Sequence, residues 1–156
     1  MRIIPAIDII EGKCVRLKQG DYTQKTVYNE NPLEVARSFE EAGLTHLHLV
    51  DLDGAKAGKV VSWDVVQSIT SNTSLHVDFG GGIKTYEEIM RLLDLGVYQV
   101  NLGSISVKEP SKITDWLKQF GAEKIILSAD VKEEMISISG WQETAAINIM
   151  SFLKDY

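Results

Sequence analysis

Short apolar runs alternate with amphipathic stretches along this chain. Ile3-Ile4-Pro5-Ala6-Ile7 closes at Asp8, Leu47 to Val50 closes at Asp51, and His76 to Phe79 runs into Gly80-Gly81-Gly82. Tyr98 to Leu102 stops at Gly103-Ser104, and Ile125 to Ala129 closes at Asp130. Each run has the length of a buried parallel strand. Helical patterns fill the gaps. Asn31-Pro32 reads as an N-cap with proline at the first helical position, and Leu33, Val35, Ala36, Phe39 and Ala42 continue to Gly43. Ser62 to Thr70 carries Val65, Val66 and Ile69 on one face, and Thr85 with Glu88 forms a capping box before Ile89, Leu92, Leu93 and Leu95. Pro110 opens a helix holding Ile113, Trp116, Leu117 and Phe120, and Thr144 is expected to cap a last one. Strands alternating with helices at this spacing predict right-handed β-α-β units around a parallel sheet. The class is α/β, with five units in a single domain over residues 1–156, because no linker-like segment divides them.

The chain also repeats itself. An acid at the carboxyl end of an apolar strand has no packing reason to be there, and both the first and the fifth strand end in one. After Asp8 a glycine-bearing stretch leads into Cys14-Val15-Arg16-Leu17, and after Asp130 a polar stretch leads into Met135-Ile136-Ser137-Ile138. Two like strands, each ending in a carboxylate and followed by a short hairpin, could offer one acid and one base to a shared substrate. The other polar and glycine signals also sit at strand carboxyl ends, where α/β sheets and β/α barrels place their ligands.

Composition narrows the partners. With 156 residues, 44% of them hydrophobic, the chain can bury a sizeable core. Its formal charge of −6 argues against a general nucleic-acid or anionic-membrane surface. Cys14 is the only cysteine, so an internal disulfide or cysteine zinc site is excluded and a reducing, cytoplasmic location is expected. No apolar run approaches the roughly 20 residues of a membrane helix, and no signal segment is expected before the first strand.

Gly80-Gly81-Gly82, between a strand and a capped helix, exposes backbone N–H groups suited to a phosphate dianion, with Lys84 adding positive charge. Gly103-Ser104 could serve the same anion. The competing reading is that these glycines only permit tight turns. Asp51-Leu52-Asp53-Gly54 lacks the third acid and distal Glu of a calcium loop, so substrate orientation or loop structure stands ahead of metal binding. His46, His48 and His76 lack metal-ligand spacing. His46 and His76 read as satisfied within the sheet, whereas the role of His48 stays open. Arg16, Gln19 and Asp21 cluster in the loop after the first strand. Trp141, after Gly140, either stacks on a flat heterocycle or packs on the rim.

Together the segments IIPAIDIIEGKCVRLKQGD, HLVDLDGAKAG, DFGGGIK, VNLGS, LSAD and ISGWQE resemble the phosphoribosylformimino-5-aminoimidazole carboxamide ribotide isomerases, the β/α-barrel enzymes of histidine biosynthesis. The resemblance implies a (β/α)8 TIM barrel of two similar half-barrels, of which this chain holds about five units as a partial barrel. It implies an Amadori rearrangement of a bisphosphorylated ribotide with no cofactor and no metal. Asp8 would be the proton acceptor and Asp130 the proton donor. Arg16, Gln19, His48, Asp51 and Trp141 would contact substrate, and Gly81, Gly82, Gly103 and Ser104 would hold one phosphate. Where the family has arginine after its glycines this chain has Lys84, which keeps the charge and loses the guanidinium fork. A piece without the last three units is expected to be weakly active or inactive alone, or to complete its wall by self-association, while the whole enzyme would be monomeric. The nearest rival is the cyclase subunit of imidazole glycerol phosphate synthase, but Val15-Arg16-Leu17 and Gln19-Gly20-Asp21 look like the isomerase. A non-catalytic phosphate-binding half-barrel is the alternative of another class.

Overall fold

In the computed structural model, residues 1–18, 20–138 and 143–156 are described. The chain divides into two compact units, Met1–Val100 and Asn101–Tyr156.

In the first unit, β1 (Ala6–Ile10), β4 (His46–Asp51) and β5 (His76–Gly80) lie parallel, with Ala6 beside His48 and His48 beside Asp78. Their alternation decides what each face carries. Ile7, Ile9, Leu47, Leu49, Val77 and Phe79 are completely buried on one face, each contributing about 1.5–3 kcal/mol of transfer free energy. Ala6, Asp8, His46, His48, His76 and Asp78 fall on the other. The buried side meets an apolar set from α1 (Pro32–Glu41), α3 (Trp63–Asn72) and α4 (Tyr86–Asp94), including Ala36, Val66, Ile69, Ile89 and Leu92. The anticipated caps are present. Asn31 accepts from Leu33 N at 3.2 Å, and Thr85 and Glu88 form the full capping box. The last strand of this unit, β6 (Gln99–Leu102), carries the chain into the second.

Two features of this unit depart from the sequence expectation. Of Arg16, Gln19 and Asp21, expected together in the loop after the first strand, Arg16 lies within a strand, β2 (Lys13–Lys18), and Asp21 opens a long one, β3 (Asp21–Asn29), antiparallel to β2. Its Tyr, Thr and Val residues favour a pleated backbone, but its largely exposed surface leaves no burial pattern to read. The Leu52-Asp53-Gly54 stretch, read as loop, lies within a short helix, α2 (Leu52–Ala57), which Gly58 ends in the left-handed region.

The second unit holds α5 (Ser104–Lys108), α6 (Pro110–Phe120) and β7 (Ile125–Leu127), followed by an antiparallel sheet of β8 (Asp130–Lys132), β9 (Met135–Ile138) and β10 (Glu143–Asn148), and then α7 (Ile149–Asp155). The strand expected to run to Asp130 stops at Leu127. Asp130 instead opens β8, because its backbone is recruited to pair with Ser137. Thr144 lies within β10, where pairing with β9 overrides the helical pattern, and the cap of α7 is Asn148, which accepts from Met150 N at 2.8 Å.

The internal repeat reaches residue pairing. In β1–β2 the pairs are Ile10 with Lys13, Ile9 with Cys14 and Asp8 with Val15; in β8–β9 they are Lys132 with Met135, Val131 with Ile136 and Asp130 with Ser137. Both turns have two residues, Glu11-Gly12 and Glu133-Glu134, all at positive φ as type I′ hairpins require. Each aspartate therefore occupies the third pair from an identical kind of turn.

Candidate active site

Asp8 sits half-buried on the polar face of the first unit's sheet. Its strand places it beside Val50, while Ala6 lies beside His48, so His48 is one pleat away on the same face. Burial pushes the Asp8 carboxyl above its ordinary value, against the opposing pull of Arg16 and then His48. The result is a carboxylate with an enhanced appetite for a proton, held between two basic groups.

His48 has its own partner. Its Nδ1 is hydrogen-bonded to Oδ1 of Asp78 on β5, and the imidazole is about one-third exposed whereas the Asp78 side chain is only 12% exposed. That hydrogen bond raises the His48 pKa, burial opposes the rise, and the charges of Asp78 and Asp8 add to it. Asp78 was not singled out in the sequence, although an acid between Val77 and Phe79 in an apolar strand is itself a signal. Its importance emerges only from the β4–β5 register that seats it beside His48.

Tyr22 and Tyr28, on β3, belong to the same surroundings. The Tyr22 hydroxyl donates to Leu52 O at 3.1 Å, and burial followed by the charges of Asp53, Asp51 and Asp8 raises its pKa. The Tyr28 phenol is pushed up to about 12, mainly by burial and then by Cys14, while Arg16 works the other way.

Above this face the loops at the strand carboxyl ends are tied together by three carboxylates. Asp51 is fully buried and accepts four hydrogen bonds: Gly54 N at 2.8 Å and Ser62 Oγ at 3.0 Å on one oxygen, Val61 N and Ser62 N at 2.8 Å on the other. Of the two roles left open for Asp51, these are the bonds of loop structure. Glu88 accepts from Val60 N at 2.9 Å, Lys84 N at 2.8 Å and Thr85 N at 3.0 Å, joining the loop after α2 to the glycine-rich turn. Glu11 N donates to Asp53 at 2.6 Å and so links the β1–β2 turn to the same layer.

Gly81 and Gly82, at φ of 112° and 82°, press against this layer. A Cβ on Gly81 would lie 2.8 Å from the Asp51 carbonyl carbon, and one on Gly82 would lie 2.5 Å from Lys59 O. Close backbone approach thus accounts for glycine at both positions. A hollow of about 260 Å³, lined by Glu11, Gly12, Asp53, Val61, Ser62, Asp64 and Val65, opens among these loops. A larger one of about 350 Å³ lies at Met1–Ile3 and Gly43–Thr45, near the amino ends of β1 and β4 and away from the titratable face.

In the second unit, Gly103 precedes the first residue of α5, Ser104, and its carbonyl accepts from Ser106 Oγ at 2.6 Å. The Ser128 hydroxyl is hydrogen-bonded to Asn101 Oδ1, and Asp130 stands exposed at the start of β8. Gln19 and Trp141 lie outside the described residues. Among the described residues no group of three or more His, Cys, Asp or Glu could hold a metal ion, and no helix is long and apolar enough to cross a membrane.

Comparison with known proteins places this geometry in context. The family model described as histidine biosynthesis protein matches residues 2–156. A protein of Phocaeicola vulgatus is 56% identical over all 156 residues, and proteins of Flavobacterium johnsoniae and Cytophaga hutchinsonii are each 53% identical over the same span. All three are named 1-(5-phosphoribosyl)-5-((5-phosphoribosylamino)methylideneamino) imidazole-4-carboxamide isomerase. The chain covers all of its own length and 65% of theirs.

Proposed function

The chain belongs to the histidine biosynthesis protein family, and from that premise we propose that it carries the acid–base machinery of an aldose–ketose isomerase acting on a bisphosphorylated imidazole-carboxamide ribotide. The observation that carries this reading is the matched placement of Asp8 and Asp130, each in the third pair from a type I′ turn. An Amadori rearrangement needs such a pair. One group protonates the ring oxygen as the aminoaldose opens, and the other removes the proton from the adjacent carbon, so that the enolamine formed can relax to the aminoketose.

Asp8 is the acceptor in this scheme. Desolvation strengthens it as a base, while Arg16 and His48 favour its ionised form and so keep it available to take a proton. Asp130, exposed at the start of its hairpin, is the donor. His48 and Arg16 face the anionic substrate beside Asp8, and Gln19 and Trp141 complete the contacts that the family resemblance implies. For Asp51 the proposed contribution is indirect, through the loop it organises. Gly81, Gly82, Gly103 and Ser104 are proposed to hold a phosphate. At the first two, packing already demands glycine, so their phosphate role rests on the family resemblance. The reading implies a small-molecule substrate, no nucleic acid, and a cytoplasmic setting.

The test joins this chain to the part of the Phocaeicola vulgatus relative outside the aligned region and measures isomerisation and substrate binding. Asp8→Asn and Asp130→Asn should each cut turnover by about 100-fold or more while leaving affinity for the ribotide nearly unchanged. Bound substrate turned over at the parent rate by either variant would remove that aspartate from the chemistry. Tight binding with no isomerisation by the unmutated chimera would favour a non-catalytic phosphate-binding module.

A further inference from the structure

The scheme above leaves one nearly buried acid without a task. Asp78 stands between Val77 and Phe79, both fully buried, and burying a carboxylate in such a strand is costly unless the charge is met. What meets it is Nδ1 of His48, on the neighbouring strand at the paired position. We propose that Asp78 is a positioning residue of the isomerase site, fixing the His48 ring through Nδ1 so that Nε2 of the protonated ring is the nitrogen left to donate to an anionic or hydroxyl oxygen of the substrate beside Asp8. This rests on the isomerase reading.

The arrangement has two consequences. An imidazole held at Nδ1 loses its freedom to flip, so Nε2, an N–H in the protonated ring, is aimed before substrate arrives. The pair also couples to the base. The charged groups around His48 are Asp78 from β5 and Asp8 from β1, with Arg16 of β2 acting on Asp8. Asp78 favours the protonated imidazole, and that cation in turn favours ionised Asp8. Without Asp78, His48 would release its proton at lower pH and Asp8 would hold its own to higher pH. The pH range in which Asp8 is ionised and His48 protonated would narrow from both sides.

Nitrogen-detected NMR of the three histidines in this 156-residue chain is the first test. In the parent, neutral His48 should carry its proton on Nδ1, and Asp78→Asn should move the His48 titration midpoint to lower pH by more than it moves that of His46, which Asp78 also raises but as the last of its causes. A parent His48 with a bare Nδ1 overturns the proposal without recourse to any variant, and so does a midpoint unmoved in a folded Asp78→Asn chain. In the chimera, Asp78→Asn should lower kcat about tenfold or more and shift the alkaline limb of the pH profile to lower pH, with partial rescue by Asp78→Glu. Loss of stability with an unmoved pH profile would show a structural role only and overturn the assignment. An inactive unmutated chimera would sink the isomerase reading and the substrate role of His48 with it, whereas the NMR titration would still report whether the two side chains are coupled.

Discussion

Removing the buried Asp51 carboxylate should open the loop layer that it ties together. Asp51 is completely buried, and its two oxygens divide four donors into two pairs. Asp51→Ala strands the N–H groups of Gly54, Val61 and Ser62 together with the Ser62 hydroxyl. Hydrogen bonds to a charged group are worth about 1.5–3 kcal/mol each. The hydroxyl can rotate and water can reach the exposed Val61, so about 4 kcal/mol in all is a reasonable total. Asp51→Asn is a finer probe, because it keeps the shape and replaces one acceptor by a donor. The amide then does best with its NH2 toward Ser62 Oγ, which can accept, and Gly54 N, which cannot, so one bond is lost and about 2 kcal/mol with it. Amide hydrogen exchange at Gly54, Val61 and Ser62 reads these values directly, since about 1.4 kcal/mol corresponds to a tenfold change in the opening equilibrium. Expected accelerations are roughly 30-fold for Asp51→Asn and about 700-fold for Asp51→Ala at Ser62, capped by global unfolding. Exchange in Asp51→Ala within a factor of three of the parent would refute the view that this carboxylate holds the layer together.

Gly81→Ala and Gly82→Ala should each destabilise the chain by about 3 kcal/mol or more, because the new methyl meets backbone that cannot swing aside. Gly12→Ala, at φ of 73° with nothing within 4 Å, should cost only about 1 kcal/mol, and urea midpoints that rank the three equally would contradict the close-approach argument. Stability should also depend on pH through His48: the folded chain binds its proton more tightly than the unfolded chain, whose reference value is 6.5. Its stabilisation is therefore complete below that value and is lost as pH rises through the higher folded one. The urea midpoint should fall between pH 6 and pH 9 in the parent and fall less in His48→Asn; equal slopes would remove His48 as the cause. Asp8, also raised, acts in the carboxylate range, and His46, held below 6.5 chiefly by burial, adds a rise rather than a fall with pH that is common to both chains, so the difference between them reports His48.

What the sequence made legible was whatever burial and capping write into local pattern. The parallel order of β1, β4 and β5, the cap at Asn31 and the box at Thr85 and Glu88 all follow from residues within a few positions of one another. β3 was missed because an exposed strand has no buried face to impose alternation, and β10 because its pairing partner, not its own composition, decides its state. Asp78 was missed for a related reason. A single acid in an apolar strand gains meaning only from the residue opposite, and the β4–β5 register is a property of two strands together. Asp51 was seen, but whether its oxygens face a ligand or a loop depends on where Val61 and Ser62 come to rest, ten and eleven residues on.

The hairpin repeat links these levels most closely. Among the described residues, Glu11, Glu133 and Glu134 are the non-glycine residues at positive φ, and all three lie in the two turns that set the registers of Asp8 and Asp130. A left-handed backbone costs a non-glycine residue about 1 kcal/mol, which a looser turn would avoid. A looser turn, however, frees the register, and a slip of one residue sends every side chain of the strand to the opposite face. In β1 that slip would bury Asp8 among the apolar helices and turn Ile7 and Ile9 outward, losing both the core and the carboxylate that Arg16 and His48 surround. Strain in the turn is thus tied to the direction in which the acid points, and the same backbone solution at Glu133-Glu134 gives Asp130 an equally defined place on its strand.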